Sequence, residues 1–81
     1  MSLAIEDYKK LVVQFGEQFI NELDEPKNYA VSVTSYDYKY MNISDEKLHY
    51  TVLSIGAPTY RELFEKVRDA WTLHLFAKRG F

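Results

Sequence analysis

Two amphipathic helical patterns enclose a strand-rich middle segment, and this order limits the chain to a fold that combines helices with a sheet. In the first pattern, from about Leu3 to Leu23, apolar residues recur at three- and four-residue spacing. They form one stripe made of Ile5, Tyr8, Leu11, Val12, Phe15, Phe19 and Leu23. Pro26 should stop the helix, because its ring blocks continuation. Gly16 borders the stripe, and we expect it to permit close approach of a neighbouring element.

The middle segment is rich in tyrosine, valine, threonine and serine, with an alternation of period two that predicts β-strands. It predicts two long strands, Tyr29–Met41 and Lys47–Ile55, joined by a polar turn and paired as an antiparallel hairpin. In this register Tyr38 lies opposite Tyr50, so the tyrosines share one face near the tip of the hairpin. Near its base, however, the apolar residues lie on the opposite face.

A hairpin that is apolar on different faces at its base and tip is difficult for two helices to cover. One interpretation is that another chain covers the tyrosine face. A β-bulge near Ser35 would instead shift the phase and aim every apolar residue at one core. A tight turn opened by Asp37 would give three short strands in place of two long ones. The tyrosines could also reflect β-propensity alone.

The last helix has the clearest local signal in the sequence. Thr59 and Glu62 have the spacing of a capping box, and Gly80 is well placed to end the helix. Both helices need an apolar surface to cover. We therefore expect one α+β domain over residues 1–81, with a two-layer α-β-β(-β)-α order and two helices packed on one face of a small antiparallel sheet.

Composition excludes several classes of function. The 81 residues contain no cysteine and carry a net charge of -2, which argues against thiolate chemistry and against bulk attraction to nucleic acid or anionic lipid. No apolar run approaches the length of a membrane span, and no secretory signal precedes the first helix, so we expect a cytoplasmic protein. The first 25 residues are acidic and the last 21 basic, which predicts a weak attraction between the two ends.

Candidate catalytic residues are scarce. His49 and His74 have no partner at the spacing of a metal site or a catalytic triad, and the three glycines do not form a phosphate-binding loop. We interpret His49 as a surface histidine in a strand and His74 as a histidine packed at the edge of the core. The sequence therefore predicts no enzyme, no cofactor, no metal and no small-molecule substrate.

Aromatic residues make up 16% of the chain, a high share that can either compensate for a small core or build a surface that binds protein. Leu73 and Phe76 lie off the main apolar stripe of the last helix. We predict a small adaptor-like or regulatory domain that binds another protein or its own copy, most simply as a homodimer. The predicted interface residues are Tyr36, Tyr38, Tyr40, Tyr50, Leu73, Phe76 and Phe81.

An alternative prediction is a nucleic-acid-binding module. The order of helices and strands resembles the layout of double-stranded-RNA-binding domains, provided that the hairpin region forms three strands. That resemblance implies phosphate contacts from clustered lysines at the start of the last helix. Here the helix begins with Tyr60, Arg61 and Glu62, and its later basic residues alternate with acids, so the cluster is absent.

Overall fold

The computed structural model describes residues 4–79 and has the element order α-β-β-β-α. Helix α1 spans Ile5–Asn21 and helix α2 spans Tyr60–Lys78. Between them, an antiparallel sheet in the order β1-β2-β3 is formed by Tyr29–Ser35, Lys39–Asp45 and Tyr50–Ala57. Helix α1 packs on β1 and β2, and α2 packs on β3 and β2. The predicted α+β class is confirmed, with both helices on one face of the sheet.

The helix ends follow the local sequence signals. Helix α1 ends at Asn21, shortly before Pro26, which begins a short 3-10 turn leading into β1. At the start of α2, the Thr59 hydroxyl oxygen accepts a hydrogen bond from the backbone N–H of Glu62 at 3.2 Å. This bond confirms half of the predicted capping box. Gly80, predicted to end α2, lies outside the described residues.

The predicted long hairpin is wrong, because the chain turns at residues 36–38 and forms three strands instead of two. The observed topology is the alternative in which Asp37 belongs to a tight turn. The backbone N–H of Tyr36 donates to the carbonyl oxygen of Tyr38 at 3.2 Å, and the Lys39 ammonium donates to the carbonyl oxygen of Tyr36. These bonds reverse the chain within three residues and return it alongside β1.

The extra turn gives the sheet one apolar and one polar face. Met41 of β2 pairs with Val33 of β1 and Ile55 of β3, and all three side chains face the helices. A bulge in the pairing of β2 with β3 makes Val52 an additional residue of β3. The buried core consists of Val12, Ile20, Met41, Ile43, Ala57, Leu63 and Val67.

The turn between β2 and β3 depends on Asp45, which is 6% exposed. Its Oδ1 atom accepts hydrogen bonds from the backbone N–H groups of Lys47 and Leu48, both at 2.9 Å. We expect Asp45→Ala to lower the free energy of unfolding by about 1–2 kcal/mol, because two amides lose their acceptor. Urea denaturation measures the change, with Asp37→Ala in the exposed β1–β2 turn as the matched control. Equal losses in the two variants would contradict this role.

Candidate interaction surfaces

The structure separates the four tyrosines that were predicted to share one face. Tyr36 and Tyr38 lie in the turn between β1 and β2, and Tyr40 lies on the face of β2 that no helix covers. Tyr50 pairs with Asp45 at the far end of the sheet and shares its helix-bearing face. The predicted pairing of Tyr38 with Tyr50 is therefore wrong, because the short strands place these residues at opposite ends of the sheet.

Tyr36, Tyr38 and Tyr40 form what we call the tyrosine cluster. The rings of Tyr38 and Tyr40 are tilted against each other, with their centroids 5.3 Å apart. Together they cover Gly56 of β3, where an added Cβ atom would lie 2.6 Å from the Tyr40 ring. Tyr36 is exposed at the tip of the turn. The tyrosine cluster is therefore a small aromatic surface, and part of it covers the backbone of β3.

The rest of the uncovered sheet face is polar, which corrects the expectation of a broad aromatic face. The Asn42 amide nitrogen donates to the Thr34 hydroxyl at 3.5 Å, and its amide oxygen accepts from the Ser54 hydroxyl at 2.8 Å. Asn42 thus links all three strands through their side chains. Small polar groups that bond to one another offer little apolar area to a partner. Outside the tyrosine cluster, this face is therefore a weak candidate for an interface.

Helix α2 has one flank against α1 and an opposite flank on the side of β3. Toward α1, the Trp71 ring lies 5.0 Å from Phe19 and the Phe64 ring lies 6.1 Å from Phe15, between centroids. Leu73 follows Trp71 by two residues, which is about 200° around the helix axis. It therefore lies on the flank away from α1, beside the outer strand β3.

We call this flank, together with the outer side of β3, the β3–α2 edge. It carries two exposed apolar side chains, Leu73 of α2, which is 68% exposed, and Val52 of β3. Phe76 of α2 is 45% exposed and follows the buried Val67 by nine residues, so it points away from the sheet. Phe81, also predicted for this surface, lies outside the described residues. Val52 is not among the predicted interface residues, although the uncharged run Tyr50–Ala57 could have indicated a strand edge open to pairing.

The two histidines differ in environment. His49 lies in the β2–β3 turn with a φ of 59°, so its predicted place within a strand is wrong. His74 is partly buried, as predicted, between the rings of Phe19 at 5.9 Å and Trp71 at 5.4 Å. Its Nε2 atom is buried and has no hydrogen-bond partner within residues 4–79. In the same range, no cluster of three His, Cys, Asp or Glu side chains could hold a metal ion.

An ion pair joins the ends of the two helices, in agreement with the predicted attraction between the acidic and basic ends of the chain. The Lys78 ammonium donates to the Glu22 carboxylate at 2.6 Å. This hydrogen bond, and the charges of Lys78 and His74, hold the pKa of Glu22 below its ordinary value. A lowered folded-state pKa means that the pair stabilises the fold above the unfolded pKa, and that this contribution is lost as the pH falls through the folded pKa.

A membrane-spanning role finds no support in the described helices, since neither combines the length and the apolar character needed to cross a bilayer. No family model, no curated protein and no solved structure matches this chain. The class is therefore stated from the structure alone: a small two-layer α+β domain with one helix-covered and one open sheet face.

Proposed function

We propose that the chain is a small, cytoplasmic, adaptor-like protein-binding domain without catalytic activity, and that its first partner is its own copy. The observation that carries this proposal is the open outer edge of β3 beside the exposed Leu73 of α2. Within the described residues β2 is the one strand that pairs with β3, and the eight residues of β3 include no charge and no proline. Such an edge is a template for a further strand.

A second copy of the chain fits this edge by symmetry. An antiparallel pair of identical strands is related by a two-fold axis, so β3 can pair with β3 of a partner and join two three-stranded sheets into one. With the axis perpendicular to the sheet, all helices stay on the same face. Helix α2 contacts β2 as well as β3, so it lies inward of the edge and leaves room for the partner's α2.

One two-fold axis can relate both the β3 strands and the α2 helices of the two copies. The Lys66 ammonium donates to the carbonyl oxygen of Gly56 at 3.0 Å, which fixes where α2 passes the end of β3. Leu73 lies about 10 Å further along the helix than Lys66. The same distance along β3, counted back from Gly56, is about three residues. Leu73 is thus level with Leu53, at the centre of β3. A two-fold axis at this point places Leu73 against its own copy.

Charges on α2 favour this antiparallel arrangement. Asp69 precedes Leu73 by about one turn, and Arg79 follows it by between one and two turns. An axis at Leu73 therefore brings Asp69 of one copy level with the basic end of the other helix. Exposed pairs of this kind contribute little affinity, but they select one register and orientation over others.

The other edge of the sheet is a poorer candidate. Strand β1 is also uncharged, but α1 presents Glu17 and Asn21 beside it, and both are exposed. Burying an unpaired carboxylate at an interface is costly. Association therefore favours the β3–α2 edge. The tyrosine cluster remains a predicted contact for a different protein, since it lies on the open face of the sheet.

Solution mass tests the proposal most directly. We expect light scattering of the wild-type chain at micromolar concentration to give the mass of two chains. Hydrogen exchange should show protection of successive β3 amides, because pairing on both sides leaves none of them facing solvent. Protection should fall on dilution as the dimer dissociates. A monomer throughout the micromolar range would contradict the proposed self-association.

Double-stranded RNA binding is the second candidate, because the observed α-β-β-β-α order has the layout that the sequence prediction required. The charges of α2 oppose it. Arg61 pairs with Glu65 at 3.6 Å and Arg68 pairs with Asp69 at 3.4 Å, so the basic residues are compensated locally. We expect no retention on a double-stranded RNA column at low salt. Retention that weakens as salt increases would favour this candidate.

A further inference from the structure

In the described part of the chain, the open face of the sheet has no charged strand residue. Lys39 and Asp45 are the charged residues of the three strands, and both lie on the helix-bearing face. The Lys39 ammonium lies 5.8 Å from the ring centroid of Tyr60 in α2, and Asp45 is buried. Charged residues make up 27% of the chain and usually populate an exposed surface, so their absence from this face is informative.

Hydroxyl and amide groups occupy the open face instead. At one end of the face these groups adjoin the rings of Tyr38 and Tyr40. The strand register places them in paired positions on the side opposite Val33, Met41 and Ile55. They belong to Ser32, Thr34, Asn42, Ser44, Thr51 and Ser54.

The hydrogen-bonded groups at the centre of this face keep bonding capacity for a ligand. The Thr34 hydroxyl oxygen accepts from the Asn42 amide nitrogen at 3.5 Å, so this hydroxyl group can still donate its hydrogen. The Ser54 hydroxyl donates to the Asn42 amide oxygen at 2.8 Å, so its oxygen can still accept. A ligand over Asn42 therefore meets a donor on the β1 side and an acceptor on the β3 side. A sugar hydroxyl group can match either, because it both donates and accepts.

Tyr38 and Tyr40 add an aromatic surface beside these groups. Their ring centroids are 5.3 Å apart, and both rings pack over Gly56, which holds them in place. The two residues are nevertheless 42% and 40% exposed. The hydroxyl groups of a glucose ring point outward and leave C–H groups on its two faces, which can pack on the electron-rich face of an aromatic ring. Rings that are already held in place lose little freedom when a ligand binds.

We propose that the open sheet face binds a neutral oligosaccharide of glucose, with one sugar ring packed on the tyrosine cluster and sugar hydroxyl groups bonded to Thr34, Asn42 and Ser54. Charge complementarity favours this occupant, because an uncharged face offers no partner to the phosphates of a nucleic acid or to a charged peptide. A protein would need more apolar area than the polar part of this face provides. Contact of the tyrosine cluster with a protein is the competing prediction, and the experiment separates the two.

Nuclear magnetic resonance of the full chain, titrated with cellohexaose and with maltohexaose, tests this ligand class. We expect at least one of the two sugars, at millimolar concentration, to shift the backbone signals of Thr34, Asn42 and Ser54. The signal of the buried Leu63 should stay unchanged. The two sugars differ only in linkage, so the comparison tells which chain shape fits the face. A hexamer of galacturonic acid should bind at least about tenfold more weakly, because this face has no cation to pair with its carboxylates.

Variants separate the aromatic contact from the polar one. Tyr38→Ala should weaken binding about tenfold, since the sugar loses an aromatic contact. Tyr50→Ala is its matched control, because Tyr50 is 53% exposed but lies on the helix-bearing face. Thr34→Val keeps a β-branched side chain and removes the hydroxyl group, so we expect binding about fivefold weaker.

The proposal is overturned if neither glucose oligosaccharide shifts these signals, which would leave the tyrosine cluster to a protein partner. It is also overturned if the galacturonic acid hexamer binds equally well, or if Tyr38→Ala binds no more weakly than Tyr50→Ala. Either result would mean that the uncharged face and its aromatic rings do not select the ligand.

The proposed dimer and the proposed ligand are tested separately. Pairing through β3 keeps all helices on one face of the joined sheet, so the opposite face stays open in the dimer as well. A monomeric chain that binds the oligosaccharide would contradict the self-association and leave the ligand site standing. A dimer that binds neither oligosaccharide would do the reverse.

Discussion

Replacing Leu73 with glutamate is expected to dissociate the proposed dimer, raising its dissociation constant by at least about a hundredfold. At a two-fold axis the substitution acts twice, because each copy loses an apolar contact and gains a carboxylate facing its symmetry mate. Like charges brought together at an interface also repel. Sedimentation velocity over a dilution series measures the dissociation constant of the variant against that of the wild-type chain.

Leu48→Glu is the matched control for this experiment. Leu48 is 63% exposed and Leu73 is 68% exposed, so both substitutions place a charge where a leucine already meets solvent. Leu48 lies in the β2–β3 turn, outside the β3–α2 edge. Neither variant should lose much stability as a monomer, since neither leucine is buried. If Leu73→Glu dissociates the chain no more than Leu48→Glu does, the β3–α2 edge is not the surface of association.

Gly16→Val is expected to lower the free energy of unfolding by about 3 kcal/mol, because the helix and the sheet meet too closely there for any side chain. Gly16 is buried in α1. A Cβ atom at this position would press against the Val31 side chain of β1 and lie 3.3 Å from the Met41 sulfur. Val31 is β-branched and stiff at χ1, so relief requires α1 to move off the sheet.

Urea denaturation of Gly16→Val and of the exposed neighbour variant Glu17→Val separates packing from helix propensity. The control should lose no more than about 0.7 kcal/mol, the range of ordinary propensity differences. Gly16→Ala should be milder than Gly16→Val, because the gain in helix propensity over glycine, about 1 kcal/mol, offsets part of the clash. Equal losses at positions 16 and 17 would show that α1 does not approach β1 as closely as described.

Both helices could be predicted because their signals are local. The cap at Thr59 is found where the sequence indicated it. Helix α1 ends at Asn21, two residues before the predicted Leu23, and its buried face includes Ile20 in place of the exposed Ile5. The close approach at Gly16 was also predicted, since a glycine at the border of an apolar stripe has few other uses in a helix.

The strands were less predictable because the turn at residues 36–38 lacks glycine and proline. Its tyrosines favour strands, so local propensity extends β1 through the turn. The signal that could have resolved the topology was the change of apolar face along the supposed hairpin. Three strands remove this change, since Val33, Met41 and Ile55 then lie side by side on one face.

The residues of the candidate surfaces also divide into those that a local sequence pattern predicts and those that depend on tertiary structure. Leu73 and Phe76 were recognisable from the helical pattern, because a helix face is fixed by spacing alone. The exposure of Val52 depends on a bulge in strand pairing, which has no signature within a single segment of the chain.

The polar flank of α1 beside β1 determines how far assembly can proceed. Pairing through β3 leaves two β1 strands as the outer borders of the joined sheet, each accompanied by Glu17 and Asn21. A third chain would have to desolvate those groups against an uncharged strand, so addition stops after one step. The proposed complex therefore stops at two chains. Although both edge strands, β1 and β3, are uncharged, we expect no growth into filaments.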